Sequence, residues 1–198
     1  DEKIVGIERA WALYERGRGY IGVQDDQAAV ADFTESLKLN PIAVLVYNDR
    51  GVALRHLGKL DEAIADYDSA LAKDPNHAPA LANRGVAKDE LDRTREALDD
   101  VSRAIAIAPE VADYWQERGS YRTRLELWDD AIGDFDEAVA LDPSNARTFN
   151  NRGYCHLKRG DADRALKDFN EAIRLNPAYE LAKKGRDESQ AALKKSSN

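Results

Sequence analysis

The sequence predicts an all-α fold, an α-α superhelix (solenoid) of antiparallel helical hairpins, and three ladders of residues predict it. Pro41, Pro75, Pro109, Pro143 and Pro177 lie 34 residues apart, and Pro79 alone of the six prolines stands outside the series. Gly17, Gly51, Gly85, Gly119 and Gly153 keep the same interval, as do Ala29, Ala63, Ala97, Ala131 and Ala165. A fixed period of this size marks stacked supersecondary units, each too small to bury its apolar face alone.

Each element of the period has a physical reason. The glycine falls in the middle of a first helix, where it costs about 1 kcal/mol against alanine, so its recurrence implies a close helix contact that offsets the penalty. The alanine does the same for a second helix, whose apolar stripe is legible in Ala63, Ile64, Tyr67, Ala70 and Leu71. The proline ends that second helix, because it lacks an N–H and disfavours helical geometry in the residue before it. Residues 180–195 read as a last, capping helix, with Leu181, Ala182, Ala192 and Leu193 as apolar contacts and Lys183, Lys184, Arg186, Asp187 and Glu188 as a wet face.

The spacing A-x3-F followed by proline recurs as Ala29/Phe33/Pro41, Ala63/Tyr67/Pro75, Ala131/Phe135/Pro143 and Ala165/Phe169/Pro177, while Val101 replaces the aromatic in the third copy. In this the sequence resembles the tetratricopeptide repeat (TPR) family. The resemblance implies one domain over 1–198, with repeats at about 10–43, 44–77, 78–111, 112–145 and 146–179 before the cap. It also implies a non-catalytic scaffold or adaptor that holds a peptide or partner protein in a concave groove lined by the first helices.

Carried onto this sequence, the groove positions are Trp11, Tyr14 and Arg18, then Leu45, Asn48, Val52, Arg55 and His56, then Ala82, Val86, Asp89 and Glu90. They continue with Asp113, Gln116, Ser120 and Arg124, then Arg147, Asn150, Tyr154 and Lys158, with Glu117 and Lys184 beside them. Asn48 and Asn150 carry donors and acceptors suited to a ligand's backbone. Trp11 and Tyr14 have two readings, packing against Ile7 and the first hairpin or standing out as anchors. The acids Asp89, Glu90, Asp113 and Glu117 precede Arg147, Lys158 and Lys184, which predicts a groove segmented by charge. Some relatives grip a chaperone's C-terminal carboxylate with a Lys/Asn/Asn/Lys/Arg clamp. Here the matching positions are Tyr14, Arg18, Asp49, Pro79 and Asn83, or Ala82, Val86, Glu117, Arg147 and Asn151, and the acids disfavour that partner.

A charged ladder runs beside the others. Arg16, Arg50, Arg84, Arg118, Arg152 and Arg186 share the period, and Asp32, Asp66, Asp100, Asp134 and Asp168 follow the first five by sixteen residues. The pairing predicts ties between helices, because an arginine fork can hold a carboxylate bidentately; an arginine-rich anion site is the alternative reading. Gly17-Arg18-Gly19-Tyr20-Ile21-Gly22 matches G-x-G-x-x-G but lacks the strand before it that a dinucleotide site requires, so no cofactor is expected. His56, His77 and His156 fall at different points of the repeat, which argues against a metal site. Cys155 takes the place held by Ala53 and Ala87, that of a small buried residue.

Composition narrows the partners. The net charge is −8, and the basic residues form no stripe before Lys183, Lys184 and Arg186, which disfavours nucleic acid. No apolar run approaches the roughly 18 residues a membrane helix needs. Asp1 to Lys3 lack the apolar core of a secretory signal, and the chain has no Met. A soluble protein is expected, either cytoplasmic or, after removal of a leader, periplasmic or exported. The alternative function is self-assembly into a homo-oligomer through a terminal repeat that exposes Ile4, Ile7 and Trp11.

Overall fold

The computed structural model describes the backbone of residues 2–196 and the side chains of 5–195; the Ile4 side chain lies outside the described residues. Within them eleven α-helices follow one another with no strand: α1 (Glu2–Gly22), α2 (Asp26–Leu39), α3 (Val44–His56), α4 (Leu60–Lys73), α5 (Ala78–Glu90), α6 (Thr94–Ile107), α7 (Ala112–Arg124), α8 (Trp128–Leu141), α9 (Ala146–Lys158), α10 (Ala162–Leu175) and α11 (Glu180–Ser196). They form two compact units, residues 1–107 and 108–198. In the first, α1/α2, α3/α4 and α5/α6 are hairpins, with α2 packed on α3 and α4 on α5. In the second, α7/α8 and α9/α10 are hairpins, α8 packs on α9, and α11 covers α10.

Two kinds of turn make the hairpins. Inside each hairpin one residue takes a left-handed backbone: Gln24 (φ 61°), Gly58 (74°), Asp92 (59°), Glu126 (60°) and Gly160 (81°). Glycine adopts this geometry without a steric penalty, whereas the side chains of Gln24 and Glu126 strain it. Between hairpins Asp74, Asp142 and Asn176 each accept the N–H two residues on, from Asn76, Ser144 and Ala178, at 3.0 to 3.1 Å. The ladder proline sits between donor and acceptor with its φ already fixed.

The glycine and aromatic ladders meet in the core. A Cβ on Gly17, Gly51 or Gly119 would lie 2.6 to 2.7 Å from the ring of Phe33, Tyr67 or Phe135, all three fully buried. Gly85 differs because Val101 brings no ring, and its nearest neighbour is the Ala97 carbonyl oxygen at 3.2 Å. In α11 the buried residues are Ala182, Gly185 and Ser189, while Leu181 is 64% exposed. Of the two expected neighbours, Ala182 makes the contact and Leu181 does not, because successive residues on a helix point about 100° apart.

The arginine ladder forms the expected ties. Arg16 meets Asp32 at 2.6 Å, Arg50 meets Asp66 at 2.7 Å, and Arg84 meets Asp100 at 2.8 Å. Arg118 and Arg152 meet Asp134 and Asp168 at 2.7 Å. The sixth, Arg186, turns to Asp187 on its own helix. With five forks committed to carboxylates, little donor capacity remains for an anion. The G-x-G-x-x-G run lies within helix α1. Cys155 is buried against Thr123 Oγ1 at 3.1 Å, and burial pushes its thiol pKa up.

Candidate functional site

The first helices of successive hairpins touch directly, α1 on α3 and α3 on α5 in one unit, α7 on α9 and α9 on α11 in the other. Each unit therefore carries a layer of first helices, and the mapped groove residues lie on it.

In the first unit Trp11 and Tyr14 have separate fates. Tyr14 is buried and stacks near Phe33, whereas Trp11 is 58% exposed with its ring 5.2 Å from that of Tyr14. The Tyr14 hydroxyl donates to Asp49 Oδ2 at 3.0 Å, Asn48 Nδ2 donates to Asp49 Oδ1 at 2.9 Å, and Asn83 Nδ2 donates to Asn48 Oδ1 at 3.0 Å. Arg18 stands 3.9 Å from the same carboxylate and over the Tyr14 ring. Burial first, and the Asp49 carboxylate second, push the Tyr14 phenol up to about 12, so it stays a donor at neutral pH. One hydrogen-bonded chain thus crosses α1, α3 and α5. Beside it a cleft of about 230 Å³ is lined by Ile7, Trp11, Tyr14, Asn40 and Leu45.

Farther along, Arg55 pairs with Glu90 at 2.7 Å and Thr94 donates to Asp89 at 2.8 Å. In the second unit Arg147 lies 3.7 Å from Glu117. Glu90 and Glu117 thus each face a cation on the adjacent first helix, so charges of both signs meet within each unit.

The second unit also separates buried from presented groups. Gln116 is buried, its Oε1 accepting from Asn145 at 3.1 Å and from Thr148 at 3.0 Å. Asn150 is buried and donates to Asn151 at 3.2 Å. Asn48, Gln116 and Asn150 thus hold the floor together more than they face outward. Tyr154 is 41% exposed, edge-on to Trp128 and under the Lys158 ammonium at 5.2 Å. A cleft of about 290 Å³ between α9 and α11 is lined by Asn150, Asn151, Tyr154, Leu181, Lys184 and Glu188. Asp113 and Arg124 are exposed on α7. Among the described residues no His/Cys/Asp/Glu cluster could hold a metal, and no helix is long and apolar enough to cross a membrane.

A sequence model of the tetratricopeptide repeat matches residues 14–78, 82–146 and 117–180. The chain belongs to the tetratricopeptide repeat family. No curated protein matches it in sequence. Among solved structures it is similar to pilF of Pseudomonas aeruginosa, at 19% identity over 93% of this chain and 89% of that one with a TM-score of 0.80. It is also similar to YrrB, a TPR protein with an unusual peptide-binding site, at 20% identity over 88% and 90% with a TM-score of 0.74. MamA of Desulfovibrio magneticus RS-1 is similar at 20% identity over 86% and 97% with a TM-score of 0.77. Likeness at such identity concerns the fold, which is the TPR solenoid of helical hairpins. A TPR fold is in general a protein–protein interaction scaffold.

One TPR position enters the sequence reading only through the carboxylate clamp and not as a ladder of its own. Asp49, Asn83, Glu117 and Asn151 immediately precede the ladder arginines and share their 34-residue spacing. Two of the four, Asp49 and Asn83, extend the hydrogen-bonded chain of the first unit, and Asn151 lines the cleft of the second. The signal was a polar residue kept polar beside an arginine, without constancy of type.

Proposed function

We propose that this TPR chain is a non-catalytic adaptor whose first-helix faces hold a peptide or partner protein. The observation that carries the reading is the cleft between α9 and α11, where Tyr154 and Leu181 present apolar surface beside the amide of Asn151 and the ammonium of Lys184. An aromatic anchor in a concave site, edged by an amide that can pair with a ligand backbone, suits an extended peptide better than a small polar substrate. The chaperone carboxylate remains a disfavoured ligand, since Asp49 and Glu117 stand where the clamp needs neutral amides. Nucleic acid is disfavoured by the charge of −8.

The test begins with retention of a partner on the purified chain, followed by titration with the retained segment as a synthetic peptide. Tyr154→Ala and Leu181→Ala each weaken binding by at least about tenfold, or ~1.4 kcal/mol, while Lys167→Ala on α10 leaves it unchanged. Loss of binding with Lys167→Ala alone contradicts the reading. Self-association through the first hairpin is the second reading, favoured by the exposed side chains of Ile7 and Trp11.

A further inference from the structure

One kind of cavity occurs in both units with different chemistry. In the first unit it opens between α2, α3 and α4, with a volume of about 300 Å³, and in the second between α8, α9 and α10, with a volume of about 390 Å³. Each lining residue of the second stands three repeats after its counterpart in the first. The ladder pair is common to both, as Arg50/Asp66 and Arg152/Asp168. The difference lies in Leu54, Glu62 and Ala65, whose places are taken by His156, Arg164 and Lys167.

The exchange leaves cations uncommitted. Through the second, third and fourth repeats the place of Arg164 holds an acid: Glu62, Glu96 and Asp130. Where the third repeat puts a cation at the place of His156, neighbouring acids consume it: Lys88 lies 2.7 Å from Asp100 and 3.9 Å from Glu96. In the fifth repeat the lining acids Asp136 and Asp168 both bond Arg152, each at 2.7 Å. Arg164 and Lys167, which stand outside the arginine ladder, remain. Arg164 approaches only Asp161, through Nε at 3.3 Å, and Lys167 has no partner among the described residues.

His156 supplies a second, independent observation. It is 6% exposed and fills the place of a leucine, yet neither ring nitrogen is hydrogen-bonded: Nδ1 has no partner among the described residues, and Nε2 stands 3.9 Å from Asp168 Oδ2. A buried polar group left unpaired lowers stability, and one that lines a polar cavity is placed to serve a ligand. We propose that this cavity binds a phosphate-class oxyanion, held by Arg164 and Lys167 with His156 as a further donor. Two uncommitted cations suit a phosphate dianion, whereas a carboxylate would balance only one of them. Arg164 can turn its two terminal nitrogens to the anion while Nε stays with Asp161, and Arg152, shared between Asp136 and Asp168, limits their repulsion of it.

The cavity is lined from the second helices α8 and α10 as well as α9, apart from the cleft between α9 and α11, so its fate leaves the peptide reading untouched. The test is a titration of the full chain with inorganic phosphate at pH 7 and constant ionic strength, followed by amide chemical shifts. Saturable shifts are expected at His156, Arg164 and Lys167, with a dissociation constant of about 1 mM or below. Arg164→Glu and Lys167→Ala, which install the residues of the first unit's cavity, should each raise it by about fivefold or more. Both side chains are exposed, so the remaining amide spectrum should stay in place and show that the variants are folded. Acetate at the same ionic strength should bind at least about tenfold more weakly than phosphate. Absence of saturable shifts at these residues up to about 20 mM phosphate, or unchanged affinity in Arg164→Glu/Lys167→Ala, overturns the site. Acetate binding as tightly as phosphate overturns the assignment of the ligand class.

Discussion

Arg152 Nη1 donates to Asp136 at 2.7 Å, on the second helix of the hairpin before its own, while its Nε and Nη2 hold Asp168 within its own hairpin. Arg84 repeats the arrangement with Asp68 and Asp100, so one guanidinium joins three helices. A planar fork of five donors can do this and a lysine cannot. The ladder therefore ties hairpin to hairpin as well as helix to helix.

A buried tie should be more costly to break than an exposed one. Asp100 accepts from Arg84 and also from Lys88 at 2.7 Å, and it is 3% exposed. Asp100→Asn leaves two cations short of their counter-charge and should destabilise the first unit by about 3 kcal/mol or more, measured by denaturant unfolding. Asp32→Asn should cost clearly less, because solvent reaches Arg16. Equal losses in the two variants would show that burial does not set the value of the tie.

Stability should fall with acid in two steps. Burial first holds the His156 imidazole below its ordinary value, outweighing the opposing pull of Asp168 and Asp161, with Arg152 and Arg164 adding to the depression. The unfolded chain then takes up the proton first, so this contribution is complete above about pH 6.5 and is lost as pH falls below it. For Asp100 burial acts upward, but the hydrogen bonds from Arg84 and Lys88 outweigh it and hold the carboxyl below the usual range. Its stabilisation is present above about pH 4 and is lost on further acidification. His156→Leu, which places there the residue found at the equivalent Leu54, should flatten the melting temperature between about pH 6.5 and 5 and leave the lower step in place. Parallel curves for the two proteins would exclude His156 as the titrating group.

Two helical glycines should respond in opposite ways to alanine. A Cβ on Gly51 lies 2.6 Å from the fully buried Tyr67 ring, so Gly51→Ala should destabilise by about 1–3 kcal/mol through overpacking. Gly133, inside α8, has nothing within 4 Å of that position, so Gly133→Ala should stabilise by about 1 kcal/mol from helix propensity. Thermal melts of the two variants decide the matter, and a shift of the same sign in both would mean that the close approach at Gly51 is relieved by movement of the ring.

The fold was legible because its determinants recur in identity: the same proline, glycine, alanine, arginine and aspartate at one interval. Determinants that recur only in geometry were not. The left-handed turn is filled by Gln24, Gly58, Asp92, Glu126 and Gly160, and nothing in those letters announces one backbone angle. For the candidate site the mapping left Trp11 and Tyr14 open between packing and exposure and could not tell a floor from a rim. Tyr14 and Gln116 are drawn inward by partners on other helices, Asp49 and Thr148, which no spacing within one repeat reveals. Hydrophobicity marks Leu181 and Ala182 alike as contacts of the cap, and only the smaller Ala182 is buried where α11 packs closely on Phe169.

The central claim is that partners bind on the first-helix layer, and hydrogen exchange of the chain saturated with its retained peptide tests it most directly. Protection should rise in α9 and α11 around Asn151, Tyr154 and Leu181, with α8 and α10 unchanged. Protection confined to α8 and α10, with α9 and α11 exchanging as in the free chain, would contradict it.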